Sequence, residues 1–163
     1  MALPVHMTLT GEQMGVIEGS CEMLGREGTI LIEAMDQSMA IPTDMQTGLA
    51  TGKRQYQPMR ITKAFDKSSP ILFQVCVTGE HLKDVTLRFY RISPVGQEEN
   101  YMTYTLLNAV ITSFHSYMLN CYDEQVSGRP HEEEISFTYE QIIITWEPTG
   151  IMAQDSWLTP RST

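Results

Sequence analysis

The sequence predicts an all-β fold with one short helix. Three observations carry that class. Apolar residues recur at every second position over most of the chain, glycine and proline punctuate the ends of those runs, and a single segment switches to helical spacing. In chain order, Val5, Met7 and Leu9 alternate with His6, Thr8 and Thr10, which reads as a first strand. Ile30, Ile32 and Ala34 alternate with Leu31, Glu33 and Met35 in a second. Val85, Leu87 and Phe89 alternate with Thr86, Arg88 and Tyr90, and Asn100 to Met118 forms a long strand-like run. Ile135, Phe137 and Tyr139 then alternate with charged and hydroxyl residues until the phase slips and Ile142, Ile144 and Trp146 take over the apolar face. A slip of one position predicts a bulge near Gln141.

The helical segment runs from about Pro70 to Thr78. Ser69 is placed to cap orphan N–H groups and Pro70 to preset the first turn, with Asp66 near the positive end of the dipole. Ile71, Leu72, Val75 and Cys76 follow helical spacing, and Gly79 is a natural stop.

Composition limits the function classes. The chain has 163 residues, a length suited to one domain spanning 1–163. Acidic residues number 20 against 11 basic, a net charge of −9. That balance disfavours a nucleic-acid partner, which needs a basic face. Hydrophobic residues make up 42%, yet no apolar run approaches the ~20 residues of a membrane span. Met1 to His6 carries no charged or apolar leader pattern, so no signal peptide is expected. Three cysteines, Cys21, Cys76 and Cys121, do not make a disulfide framework and suit synthesis in a reducing cytoplasm.

The sequence carries none of the common catalytic or ligand-binding patterns. Gly48-Leu49-Ala50-Thr51-Gly52-Lys53-Arg54 has the wrong glycine spacing for a phosphate loop, and Arg54 stands where a Ser or Thr should hold Mg²⁺. His6, His81, His115 and His131 show no metal-ligand spacing with one another or with the cysteines. Cys76 falls on the apolar face of the helix, nothing in the sequence joins Cys21 or Cys121 to a histidine, and no nucleophile elbow is present. His131-Glu132-Glu133-Glu134 reads as a solvated charge run that discourages edge pairing. The expectation is therefore a protein that is not an enzyme and uses no cofactor or metal.

Two features are unusual for a solitary barrel. The run from Asn100 to Met118 places Leu106, Val110, Phe114 and Met118 on one face and Leu107, Ala109, Ile111 and Tyr117 on the other, with neither face consistently polar. Either the protomer's own core and helix cover both faces, or a neighbouring subunit covers one. The stretch Ser38 to Pro58 is rich in Thr, Gly, Gln and Asp, and a loop of that length in a compact domain is usually functional or disordered.

Several phrases then add up in order along nearly the whole chain: Gly25-Arg26-Glu27-Gly28, Ile41-Pro42-Thr43-Asp44-Met45-Gln46-Thr47-Gly48, Thr51-Gly52-Lys53-Arg54, Phe65-Asp66-Lys67-Ser68-Ser69-Pro70, Phe89-Tyr90-Arg91-Ile92, His131-Glu132-Glu133, Ile144-Thr145-Trp146 and Asp155-Ser156-Trp157. Together they resemble the Hcp family (haemolysin-coregulated proteins), the tube subunit of the bacterial type VI secretion system. Gln55-Tyr56-Gln57 departs from the family where a His is common before Pro58, and Cys121 to Arg129 is idiosyncratic.

The resemblance implies a β-barrel of two packed sheets with one flanking helix, assembled as a homo-hexameric ring with a wide channel. It also implies stacked rings propelled by a contractile sheath, with spike, sheath and baseplate components and secreted effector proteins as partners, and with no membrane insertion. Export would then need no signal peptide: the protein would be made in the bacterial cytoplasm and released to the outside or into a target cell. Within this frame the stretch Ser38 to Pro58 matches the family's projecting loop, and Thr43, Asp44, Gln46, Thr47 and Arg54 are the expected inter-subunit and ring-stacking residues. Asp36 and Ser38 are the expected channel-facing effector contacts. A phage-like tail-tube protein, or a monomeric ligand-binding barrel or enzyme, are the alternatives.

Overall fold

A computed structural model describes Leu3 and residues 5–158. Its strands are β1 (Val5–Gly11), β2 (Gly15–Ile17), β3 (Ile30–Ile32), β4 (Ala34–Asp36), β5 (Met39–Ala40), β6 (Gln55–Tyr56), β7 (Met59–Ala64), β8 (Leu82–Ile92), β9 (Glu98–Tyr117), β10 (Glu132–Thr138), β11 (Gln141–Trp146) and β12 (Ile151–Ser156); helix α1 is Ser69–Thr78. One layer runs β12-β11-β9-β8-β1, with β2 and β3 sharing the far side of β1. The other runs β9-β10-β7-β4. All the pairings are antiparallel. β9 belongs to both layers, because its first half pairs with β11 and its second with β10. The layers meet again where β3 passes into β4, and Glu33 N donates to Thr62 O there at 2.8 Å. The result is the expected two-sheet barrel with one helix, filled by a single apolar cluster that includes Met7, Ile32, Ile61, Leu87, Leu106 and Phe137.

The departures from period-two counting are informative. Ile30 to Met35 is two strands, broken by a bend at Glu33, since the chain changes layer there. The slip near Gln141 is likewise a corner: β10 ends at Thr138 in one layer and β11 begins at Gln141 in the other. The real bulge nearby faces Ser136 and Phe137, in the β9 pairing. That bulge, and Asn108 with a φ of 50°, shift the phase of β9 twice. Leu106, Ala109 and Ile111 are therefore all buried, and Phe114 also packs against the core. The apparent apolarity of both faces comes largely from counting through those two shifts.

The helix start also differs in detail. Ser68, not Ser69, is the N-cap, and it makes no side-chain cap bond. Asp66 Oδ1 instead accepts from Ser68 N at 2.9 Å and from the Ser68 hydroxyl. Ser69 is the first helical residue, and its Oγ accepts from Asp66 N at 3.1 Å. Leu72 and Val75 face the core. Gly79 ends the helix at φ 69°, a left-handed conformation that suits glycine.

The run His131 to Glu134 is not a solvated face. Glu132 and Glu133 are buried and point to opposite sides of β10. Glu133 accepts from Lys63 Nζ at 2.5 Å and from Ser69 Oγ at 2.7 Å. Lys63 also meets Asp66 at 3.0 Å and Ala64 O at 3.0 Å. Glu132 accepts from Tyr117 at 2.7 Å and Arg129 at 2.9 Å. A charge this deep persists only when paired and hydrogen-bonded.

Candidate functional site: a clamped hairpin

The polar stretch after β4 folds into a projecting hairpin. Its stem is β5 and β6, paired at Met39 with Tyr56 and Ala40 with Gln55. Gln57 N donates to Ser38 O at 3.0 Å below the stem, and Thr51 N donates to Pro42 O at 2.8 Å above it. A bridge between Thr43 and Ala50 carries the pairing outward.

Asp44 organises the tip, as a carboxylate two residues before an orphan N–H commonly does. Its side chain accepts from Gln46 N at 2.9 Å and Thr47 Oγ1 at 3.1 Å. Its backbone accepts from Gly48 N and donates to Leu49 O, both at 2.8 Å. Of the residues expected in this loop, Thr43, Asp44, Gln46 and Thr47 are thus gathered in one turn. Asp44 and Thr47 spend their side chains on holding it.

Arg54 lies apart, at the root. Its guanidinium grips the Asp155 carboxylate with Nε and with NH2 at 2.8 Å, and NH2 also donates to Ser156 O at 2.7 Å. Tyr56 donates its hydroxyl to the same carboxylate. Burial of its ring, then the bond to Asp155, push the Tyr56 hydroxyl up to about 12. Burial alone would raise Asp155, but Tyr56 and Arg54 hold its carboxyl below the ordinary range. Tyr56 stacks on Trp157 at 5.6 Å and meets Tyr139 edge-on at 5.8 Å. Two phrases far apart in sequence, Thr51 to Arg54 and Asp155 to Trp157, therefore meet as one clamp.

Asp36 and Ser38 stand at the hairpin's entrance, both exposed. Asp36 pairs loosely with Arg60 at 3.3 Å, and Gln37 between them donates to the Tyr139 hydroxyl at 3.2 Å. Sequence reasoning missed Met45 and Leu49, which are 99% and 68% exposed at the tip. Their signal was available, since they are large apolar residues in a polar stretch.

Chemistry elsewhere is limited. Cys21 Sγ lies 3.8 Å from His6 Nδ1, a contact the sequence did not disclose. Thr29 donates its hydroxyl to Arg26 O at 2.8 Å, so it accepts from His6 Nδ1–H at 2.9 Å. Nε2 is left to accept from Arg26 at 3.3 Å. With its proton on the nitrogen nearest the thiol, this imidazole is no base for Cys21. Burial, then Arg26, lower its pKa. Among the described residues, no group of three or more His, Cys, Asp and Glu could hold a metal ion, and no helix is long and apolar enough to cross a membrane.

Comparison with known proteins decides the family. Residues 6–146 match the family model described as "Type VI secretion system effector, Hcp". The chain belongs to the Hcp family. It is 36% identical, over 98% of both chains, to the "Major exported protein" of Pseudomonas aeruginosa. Among solved structures, a mutant of the Hcp1 protein from E. coli EAEC 042 pathovar matches with a TM-score of 0.85 and 33% identity, covering 96% of this chain and 99% of that one. The secreted protein Hcp3 from Pseudomonas aeruginosa matches with a TM-score of 0.79 and 30% identity over 96% and 99% of the two chains. The Hcp fold and a place in type VI secretion are thereby established for this chain.

Proposed function

We propose that the protein, with residues 1–163 acting as one domain, is a structural tube subunit of the type VI secretion system. It forms hexameric rings that stack through the hairpin, is made in the cytoplasm and exported, and carries effector proteins past Asp36 and Ser38 in the channel. Spike, sheath and baseplate components would be its other partners, and no catalytic step is assigned to it. The observation that carries this reading is the hairpin: a turn held by Asp44, on a root fixed by Arg54 and Asp155, leaves its tip residues Met45 and Leu49 exposed among the described residues. A preorganised projection is suited to docking, because its ordering cost is met before contact. Thr43 and Gln46 add hydrogen-bonding groups that suit reversible contacts.

Mass in solution and electron microscopy of the purified protein test it together. The expected particle is about 110 kDa, six times the 18.5 kDa protomer, and shows an open centre. A stable monomer at micromolar concentration would overturn the reading. Deleting Thr43 to Gly52 should leave circular dichroism unchanged while stacking is lost; a loss of fold would contradict a role between copies.

A further inference from the structure

We propose that Glu33 and Glu132 form a proton latch at the seam of the barrel. In mild acid a single proton held between the two carboxyl groups ties the β3–β4 bend to β10, and its loss at higher pH loosens that bend. The latch belongs to the protomer and stands whether or not copies assemble.

The geometry brings two acids together where one charge is provided for. Glu33 sits at the bend that joins the layers, and its N–H donates to Thr62 O at 2.8 Å. Its side chain lies within hydrogen-bonding reach of the Glu132 side chain. Two ionised carboxylates offer no donor, so a bond between them needs a proton, and without one they repel. Glu132 is 2% exposed and is already held as an ion. Arg129 NH2 donates to its Oε1 at 2.9 Å, and the Tyr117 hydroxyl donates to its Oε2 at 2.7 Å. The shared proton therefore belongs to Glu33. The cations that face Glu33 are each paired with another acid, Arg129 with Glu132, and Lys63 on β7 with Glu133 and Asp66. Burial, then the charge of Glu132, push the Glu33 carboxyl above its ordinary range, and Arg129 and Lys63 offset this only in part. Tyr117 on β9 is pushed up to about 12 by its bond to Glu132, by burial and by the charges of Glu132 and Glu134, so it stays a donor throughout. Folded Glu33 thus keeps its proton to higher pH than the unfolded chain does. The stability this adds is complete below the ordinary value of 4.5 and is lost as pH rises through the raised one, opposite in sense to His6, which is lowered. The bend leads into β4 and then the hairpin arm at β5, so the proton also sets how firmly that arm is anchored.

Amide hydrogen exchange read by mass spectrometry tests the latch, with rates corrected for the intrinsic effect of pH. In the parent, the peptide holding Glu33 should lose about threefold in protection between about pH 5 and about pH 8. Glu33→Gln should keep the higher protection at both, because its side-chain amide donates to Glu132 with no titratable proton. Both proteins carry His6, so its titration cancels between them. Glu33→Ala should show no pH dependence and less protection than Glu33→Gln, since it can make no such bond. A parent equally protected at both pH values would overturn the latch. So would a Glu33→Gln variant that loosens alongside the parent, or a Glu33→Ala variant as protected as Glu33→Gln.

Discussion

Two ion clusters of this protein sit at different depths and serve different ends. Lys63 and Glu133, at 0% and 1% side-chain exposure, join β7 to β10 inside the barrel wall, with Asp66 and Ser69 completing their bonds. Arg54 and Asp155, at 13% and 33%, fasten a hairpin that lies outside the barrel. The first cluster is part of what makes the protomer fold. The second fixes the direction of a hairpin that projects from the barrel. Removing one partner of the first should strongly destabilise the barrel; disturbing the second should spare the barrel and alter what the hairpin can reach.

The largest effect is expected at Lys63. Lys63→Ala leaves the Glu133 carboxylate buried without its cation, which should cost about 3–5 kcal/mol in urea denaturation. The double variant Lys63→Met, Glu133→Leu should recover most of that loss, since a buried pair replaced by packed apolar groups is often neutral. If Lys63→Ala proves as stable as the parent, the contrast between the clusters fails. Ser69→Ala comes next. It is not the helix cap, but it removes a donor from Glu133 and an acceptor from Asp66 N, so a loss of about 1–3 kcal/mol is expected by thermal or urea melting.

The acid response is smaller and graded. Folded His6 titrates below the unfolded value of 6.5, so the unfolded chain binds more protons just below that pH. Stability should therefore fall as pH drops below about 6.5, by at most ~1.4 kcal/mol per pH unit for one proton, until folded His6 itself protonates. Asp66 is pulled the other way. Its burial would raise it, but bonds from Ser68 and Lys63 hold its carboxyl below 3.8, so its contribution is present above that pH and is lost only as pH falls through the depressed value. A His6→Gln variant should flatten the first phase in urea melts taken at successive pH values and leave the second. The smallest effect belongs to Asp36→Ala. Its pair with Arg60 is 68% and 54% exposed, and the change should shift stability by less than about 1 kcal/mol.

Much of this was legible in the sequence, and the misses share a cause. Local signals worked: alternation marked most strands, Pro70 and Gly79 bracketed the helix, and the Hcp resemblance rested on phrases that the structure brings together, such as Arg54 with Asp155. What failed was any inference that needed to know which layer a residue had reached. The strand 30–35 and the slip at Gln141 are places where the chain changes sheet, and period-two counting carries no record of that. Glu133 looked solvated because its cation lies 70 residues away, on a neighbouring strand. In the hairpin, polarity marked the loop as a candidate contact region; the structure spends the Asp44 and Thr47 side chains on the turn and leaves Met45 and Leu49 exposed.

The strand shared by both layers also sets how the chain must fold. β8 and β9 are joined by a short turn, so their pairing forms early and locally. β1 must wait, because His6 pairs with Arg88 far along the chain, and the bend at Glu33 can close against Thr62 only when both layers exist. Loop-closure entropy is met before such distant pairings repay it, which places barrels of this kind among proteins that fold in milliseconds to seconds. Until that seam closes, β1 and β7 expose unpaired backbone to other copies. The aggregation hazard of this chain is therefore concentrated in the interval before the seam closes, and it falls once both layers are joined.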